Sequence, residues 1–338
     1  MASPRRIGFV GTELAPLTPS AGGLERLVTG WAAGLDGYDS VLVSRFDDGS
    51  QATYHSRLPL AQVVESCDVV VINNRPEWTH QIDKPTVLIL HNTVEAWTPT
   101  TGEPRPLALG SASIPGQVTV ATVSLFLAHH AKQHLGLTSL PRVLPPFVDP
   151  AFLCGPPWNG SDQRLLFPNR LLVKKGVEET IAAVERLAHP RSMTVFLANF
   201  SPWTEPTPEH RALVARIEAS SRCTLAPRID SSTKLATRMA AASAILAPST
   251  RPEGLGLVPL ESLALGVPTI ISGLGGLREL APYGATITEP TDANSFAAAV
   301  ETVLSAPPAI DHQGIRRDFS VAHSLAILAE LIDDVIQR

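Results

Sequence analysis

The chain of 338 residues is poor in cysteine, in lysine and in aromatic side chains. Its three cysteines, Cys67, Cys154 and Cys223, are odd in number, far apart and without nearby histidines. That excludes a disulfide framework or a zinc module and is expected of a reduced, cytoplasmic protein. No apolar run reaches the roughly 18 residues of a membrane span. The opening residues carry two arginines but lead straight into a strand-like run, which is not the pattern of a secretory signal. A formal net charge of −5 without a basic block argues against nucleic acid and against an anionic bilayer as principal partner. Only 5 of the 27 basic residues are lysines, and two of those, Lys174 and Lys175, are adjacent.

What is present is ample apolar material, 44% of residues, in a length that suits two domains of about 100–200 residues each. Short β-branched runs alternate with Ala- and Leu-rich stretches of helical length, the pattern of βα units around parallel sheets. In the first half, strands are expected at residues 6–10, 40–44, 68–72, 86–90 and 118–123, with helices at 23–35 and 125–135. Prolines and glycines crowd residues 141–162, which reads as an inter-domain linker. The alternation then restarts, with strands at 164–168, 193–198, 224–226, 244–247, 269–272 and 285–287. Helices are expected at 177–187, 208–219, 232–242, 258–265, 294–304 and 321–336. The expected fold is α/β, with two Rossmann-like domains at 1–150 and 151–320 facing each other across a cleft.

The most informative stretch runs from Ser249 to Glu279. Glu253 opens a turn, Gly254-Leu255-Gly256-Leu257, that follows a strand and leads into a helix carrying Glu261. Such a turn aims backbone N–H groups and a helix N-terminus at a ligand, and glycine lets that ligand approach the main chain. Eight residues of continuous helix span about 12 Å, too far for the two glutamates to share a proton or a metal. They suit two contacts on one long ligand. Two glutamates by themselves are commonly a solvated helix face; the glycine turn between them favours the functional reading. Upstream, Phe167–Gly176 places Arg170 and Lys175 around a turn at the start of the second domain. Fixed cations there suit an anionic ligand and oppose its charge without proton transfer.

These residues resemble the donor-site motifs of the retaining family 4 glycosyltransferases, which have the GT-B fold. The resemblance is specific over residues 165–280 and weak over 1–140. It implies that Glu253 holds donor-sugar hydroxyls and that Glu261 binds the ribose. The amides of Gly254, Leu255, Gly256 and Leu257 would lie near the diphosphate and sugar. Arg170 and Lys175 map to the diphosphate-binding cations, and Lys174 matches no required position and is expected in solvent. In the first domain, Gly22-Gly23 resembles the glycine pair beside donor and acceptor, His91 the active-site histidine, and Ser124 a serine in the same topological place. The final helix, 321–338, matches a segment that crosses back onto the first domain. Two departures stand out. Asn169 replaces a glycine, and Pro146-Phe147 replaces an Asn-Gly pair.

The resemblance implies a nucleoside diphosphate sugar as donor, UDP favoured and GDP open, with the base near Arg228 and Ile229. Metal-centred sugar transfer normally uses Asp-x-Asp, which is absent, so no metal and no further cofactor are expected. His129, His130 and His134 lack the carboxylate or cysteine of a metal site. The acceptor is expected to be a hydroxyl of a soluble small molecule or glycan, with a bacterial secondary metabolite suggested by composition alone. Glu13, Asn73, Asn74, Arg75, Glu77, Trp78, Glu95 and Trp97 fall on first-domain loops that are candidates for its site. A dehydrogenase is disfavoured because Gly8-Phe9-Val10-Gly11 lacks the dinucleotide spacing. A sugar-nucleotide epimerase or hydrolase, and an inactive nucleotide-sugar-binding protein, remain the alternatives.

Overall fold

A computed structural model describes residues 4–12, 22–44, 64–94, 114–196 and 207–338. The chain divides into two compact units, residues 1–147 with 321–338, and residues 148–320. Among the described residues each unit is built on a six-stranded parallel sheet with helices around it, the α/β organisation that the alternating pattern predicts.

The first unit contains β1 (Arg5–Thr12), α1 (Gly23–Gly34), β2 (Tyr38–Ser44), β3 (Val69–Asn73), β4 (Thr86–Leu90), β5 (Val118–Thr122), α2 (Leu125–His134) and β6 (Arg142–Val143). The strand order is β2-β1-β3-β4-β5-β6. β3 and β4 are buried along their whole length, which is why they read as unbroken Val, Ile and Leu rather than as alternation. Chain direction across the sheet reverses between β1 and β3, and ligands in such sheets bind beyond the carboxyl ends of the strands at that switch point. Gly11 sits there with φ +97°, and a Cβ on it would stand 2.3 Å from the Asn73 carbonyl oxygen. Only glycine fits.

The chain's last helix, Val321–Ile336, belongs to this unit. It buries Leu328, Leu331, Ile332 and Val335. Its Ser324 hydroxyl accepts from Trp31 Nε1 at 2.9 Å and donates to the Pro145 carbonyl at 2.7 Å.

The second unit contains α3 (Pro150–Leu153), β7 (Asp162–Phe167), α4 (Val177–Arg186), β8 (Met193–Phe196), α5 (Pro208–Glu218), β9 (Cys223–Ala226), α6 (Ser232–Ala241), β10 (Ala242–Ala247), α7 (Leu257–Ala264), β11 (Thr269–Ser272), β12 (Thr286–Thr288), α8 (Ala293–Ser305) and α9 (His312–Asp318). The order β12-β11-β10-β7-β8-β9 puts its switch point between β7 and β10. Two apolar clusters cover the sheet. Leu165 and Phe167 of β7 enter one with Ile181, Val195 and Phe296, while Leu166 enters the other with Ile245, Leu260 and Ile271. The strand pleat sends neighbours to opposite faces.

Residues 141–162 are more ordered than their prolines predict. They include β6 and α3, the latter capped by Asp149, whose carboxylate accepts from Ala151 N at 2.9 Å. Phe147 is buried edge-on to Trp31, ring centroids 6.4 Å apart. The expected strand at 193–198 ends at Phe196, with its last two residues outside the described set.

Candidate functional site

In the second unit the carboxyl ends of β7 and β10 carry the candidate residues. The chain leaves β7 through Asn169, whose side chain is buried and donates Nδ2–H to the Leu246 carbonyl of β10 at 3.2 Å. The departure from glycine therefore ties the two switch-point strands together. Arg170 follows, exposed, and among the described residues no carboxylate lies within ion-pair distance of it. A 3-10 turn, Val173–Lys175, ends in Gly176 at φ +78°, where a Cβ would stand 2.0 Å from the Pro248 carbonyl oxygen. That close approach brings Lys175 to the segment after β10. Thr250 N donates to the Lys174 carbonyl at 2.9 Å, locking the two loops edge to edge.

Lys175 Nζ meets Glu253 Oε2 at 2.7 Å, with both side chains largely buried. The Ser249 hydroxyl donates to the other oxygen, Glu253 Oε1. A carboxylate has about four acceptor sites, so one remains on each oxygen for ligand hydroxyls. Lys175 likewise keeps donors beyond the one given to Glu253. Lys174 is exposed, as expected. However, partial desolvation and the charges of Arg170 and Lys175 hold its ammonium below the usual lysine range. Three cations therefore share one small region, and the sequence had suggested two. Ser249 was also missed, because a serine two residues past a strand carries no signal of its own.

Glu253 is not on the helix. It pairs with Gly275 in a parallel bridge, and Gly276 N donates to its carbonyl at 2.8 Å. The helical estimate of the Glu253–Glu261 separation therefore does not apply, since α7 begins only at Leu257 behind Gly256 at φ +92°. Gly254 and Leu255 are buried, and the Leu255 side chain sits in the core. Any contact from Leu255 to a ligand is through its backbone. Glu261 lies on α7 and is only 3% exposed. Arg228 is half-buried and pairs with Asp230 at 2.8 Å, and Ile229 packs against the core.

The first unit holds the remaining candidates. His91 follows β4 and is buried, which lowers its pKa from 6.5 to about 3. Its Nε2 is 3.0 Å from Asn73 Oδ1, its backbone N–H donates to Asn74 Oδ1 at 2.7 Å, and the Trp31 ring lies 5.7 Å away. Asn73 and Asn74, suggested for the acceptor, are thus turned onto His91. Arg75 is occupied by Glu77 at 3.6 Å and by the Trp78 ring at 5.7 Å, while Glu13, Glu95 and Trp97 lie outside the described residues. Gly22 caps α1 and Gly23 begins it, with a Glu25 carboxylate oxygen 2.5 Å from where a Gly22 Cβ would stand. An anion already lies over that helix end. Ser124 is the N-cap of α2, accepting from Leu127 N at 3.2 Å. His130 Nε2 accepts from Val94 N at 3.0 Å, and its ring lies 4.2 Å from that of His134. No cluster of three metal-ligating side chains occurs among the described residues. No helix of the described residues is long and apolar enough to cross a membrane.

Residues 155–317 match the family described as glycosyl transferases group 1. A glycogen synthase of Mycobacterium tuberculosis is 34% identical over 152 residues, 43% of this chain but only 34% of the relative. The fold is similar to that of a sucrose-phosphate synthase from Thermosynechococcus elongatus, with TM-score 0.76 and 18% identity over 98% of this chain and 99% of that one. It is also similar to Anabaena HepE in complex with UDP and glucose, with TM-score 0.74 and 17% identity over 98% and 100%. The chain has the GT-B fold, and residues 155–317 of its second unit match the group 1 glycosyltransferase family.

Proposed function

We propose that this protein is a retaining glycosyltransferase of the family 4 type, taking a sugar from a nucleoside diphosphate sugar to a hydroxyl of a small-molecule or glycan acceptor. UDP is the favoured nucleotide, in keeping with the UDP-bound Anabaena neighbour, and GDP is the alternative. The observation that carries the reading is the clamped carboxylate Glu253, held by Lys175 and Ser249 beside Arg170 and Lys174 at the β7–β10 switch point. A carboxylate flanked by fixed cations is the chemistry that a sugar diphosphate needs.

In this reading Glu253 accepts from sugar hydroxyls, Glu261 from the ribose, and Arg228 and Ile229 border the base. The amides of Gly254, Leu255, Gly256 and Leu257 face the diphosphate and sugar. The bond between the anomeric carbon and the phosphate oxygen breaks, and its electron pair leaves with the diphosphate. Arg170, Lys174 and Lys175 stabilise that developing charge. The acceptor oxygen bonds to the same face of the anomeric carbon, and its proton passes to the leaving phosphate oxygen. The first unit, with His91, Gly22 and Gly23, serves the acceptor and the transferred sugar. No Asp-x-Asp is present, and the cations supply the charge that such a pair would recruit through a metal.

Incubation with UDP- and GDP-sugars and a panel of hydroxyl acceptors, read by mass spectrometry, tests the proposal. A donor-dependent glycoside with retained anomeric configuration is the expected product. Isomerised or hydrolysed donor without glycoside would indicate an epimerase or hydrolase. Binding without turnover would indicate an inactive nucleotide-sugar-binding protein.

A further inference from the structure

The first unit contains a hydrogen-bonded device around His91. Asn73 ends β3 with its side chain fully buried, and its Nδ2 donates to the Val10 carbonyl of β1 at 3.0 Å. That bond fixes the orientation of the amide, because a flipped amide would set its oxygen against another carbonyl oxygen. Oδ1 therefore faces His91 Nε2 at 3.0 Å and can only accept. The ring must carry its proton on Nε2, which leaves Nδ1 as an unprotonated acceptor. The backbone of the same histidine is held separately. Asn74 adopts the left-handed region at φ +55°, which asparagine tolerates better than most residues, and its Oδ1 takes the His91 N–H at 2.7 Å. Trp31 closes one side of the ring, itself anchored through Nε1 to Ser324 of the last helix.

We propose that Asn73 is a positioning residue which holds His91 as the neutral Nε2–H tautomer, so that the imidazole offers a hydrogen-bond acceptor at Nδ1 and neither a cation nor an acid. This rests on the reading of His91 as a residue of the transferred sugar's site. The ring then accepts from a sugar hydroxyl and takes no part in protonating the leaving group. The groups set against the ring are the amide of Asn73 and the indole of Trp31, both uncharged. Burial, with no charged neighbour contributing, disfavours the imidazolium.

The test is nitrogen NMR of the full chain labelled with ¹⁵N-histidine, the His91 signals being identified by their loss in His91→Gln. The wild type should show a protonated Nε2 and an unprotonated Nδ1, unchanged over about pH 5 to 8. A proton on Nδ1, or titration near the ordinary value of about 6.5, overturns the proposal without reference to any variant. Asn73→Asp places a carboxylate on Nε2–H and favours the imidazolium. It should lower kcat about tenfold or more at neutral pH while leaving the donor KM largely unchanged. The rate should recover as pH rises and the ring loses its proton. A flat pH profile with both parameters reduced would mean that Asn73 only supports the fold. Absence of donor turnover in a wild type with the expected tautomer counts against the glycosyltransferase reading and leaves the tautomer assignment standing.

Discussion

At the residue scale, two contacts orient one carboxylate. Lys175 sits on one oxygen of Glu253 and Ser249 on the other, so the carboxylate is aimed before any ligand arrives. Lys175→Met removes both the clamp and a cation proposed to face the leaving diphosphate, and should lower kcat about 100-fold or more. Ser249→Ala removes one net hydrogen bond of about 1 kcal/mol and should cost roughly fivefold in kcat/KM for the donor. Steady-state kinetics with the active donor separates the two. An equal loss in both variants would mean that Lys175 acts only on Glu253 and not on the diphosphate. His91 gives a prediction of another kind. Burial lowers its pKa from 6.5 to about 3, so between those values the unfolded chain binds a proton that the folded chain refuses. This contribution is complete above pH 6.5 and is lost as pH falls toward about 3, at about 1.4 kcal/mol per pH unit. Urea unfolding at pH 7 and pH 5 should show a smaller acid loss in His91→Gln than in the wild type. Equal losses would mean that His91 ionises freely in the folded protein.

At the scale of elements, the turn that delivers Lys175 is the point of greatest constraint. Gly176 stands at φ +78° with a Pro248 carbonyl where its Cβ would go. Gly176→Ala meets both a disfavoured backbone region and a collision with main chain, and should destabilise by about 1–3 kcal/mol. Because the displaced residue is next to Lys175, the donor KM should rise as well, which chemical denaturation and kinetics can check together. The sequence showed this turn as a Lys-Gly pair after a strand, and it showed Glu253 as the opening of a glycine turn. It could not show that the two meet, since residues 78 apart are joined only by the β7–β10 neighbourhood. The buried strands were legible because continuous Val, Ile and Leu leave few other structures. β6 was not, being two residues inside a proline cluster. Neither was α3, a single turn held by the Asp149 cap. Asn73 was read as a loop residue near the acceptor, since nothing in a strand-end asparagine says that its amide bridges Val10 and His91.

The whole molecule is two units with separate cores, and the division does not follow the chain in one piece. The last helix leaves the second unit and completes the first. Its buried face, Leu328, Leu331, Ile332 and Val335, supplies apolar cover that the first sheet would otherwise lack. Its Ser324 holds Trp31, and Trp31 flanks His91. The exposed pairs of Arg142 with Glu330 and Asp334 add little, as solvated ion pairs contribute about 0–1 kcal/mol. Burial is therefore what holds the helix. Leu331→Asp buries a carboxylate among apolar neighbours and should cost several kcal/mol, within the range of about 3–5 kcal/mol seen for the worst core substitutions. The cost belongs to the first unit alone. Hydrogen exchange should show β3 and β4 losing protection while β7 and β10 keep theirs. Calorimetric titration should still detect UDP, whose proposed contacts Arg170, Lys175 and Glu261 all belong to the second unit, while sugar transfer is abolished. Loss of UDP binding in this variant would show that the nucleotide depends on the first unit for its hold, and the division of donor and acceptor between the units would have to be given up.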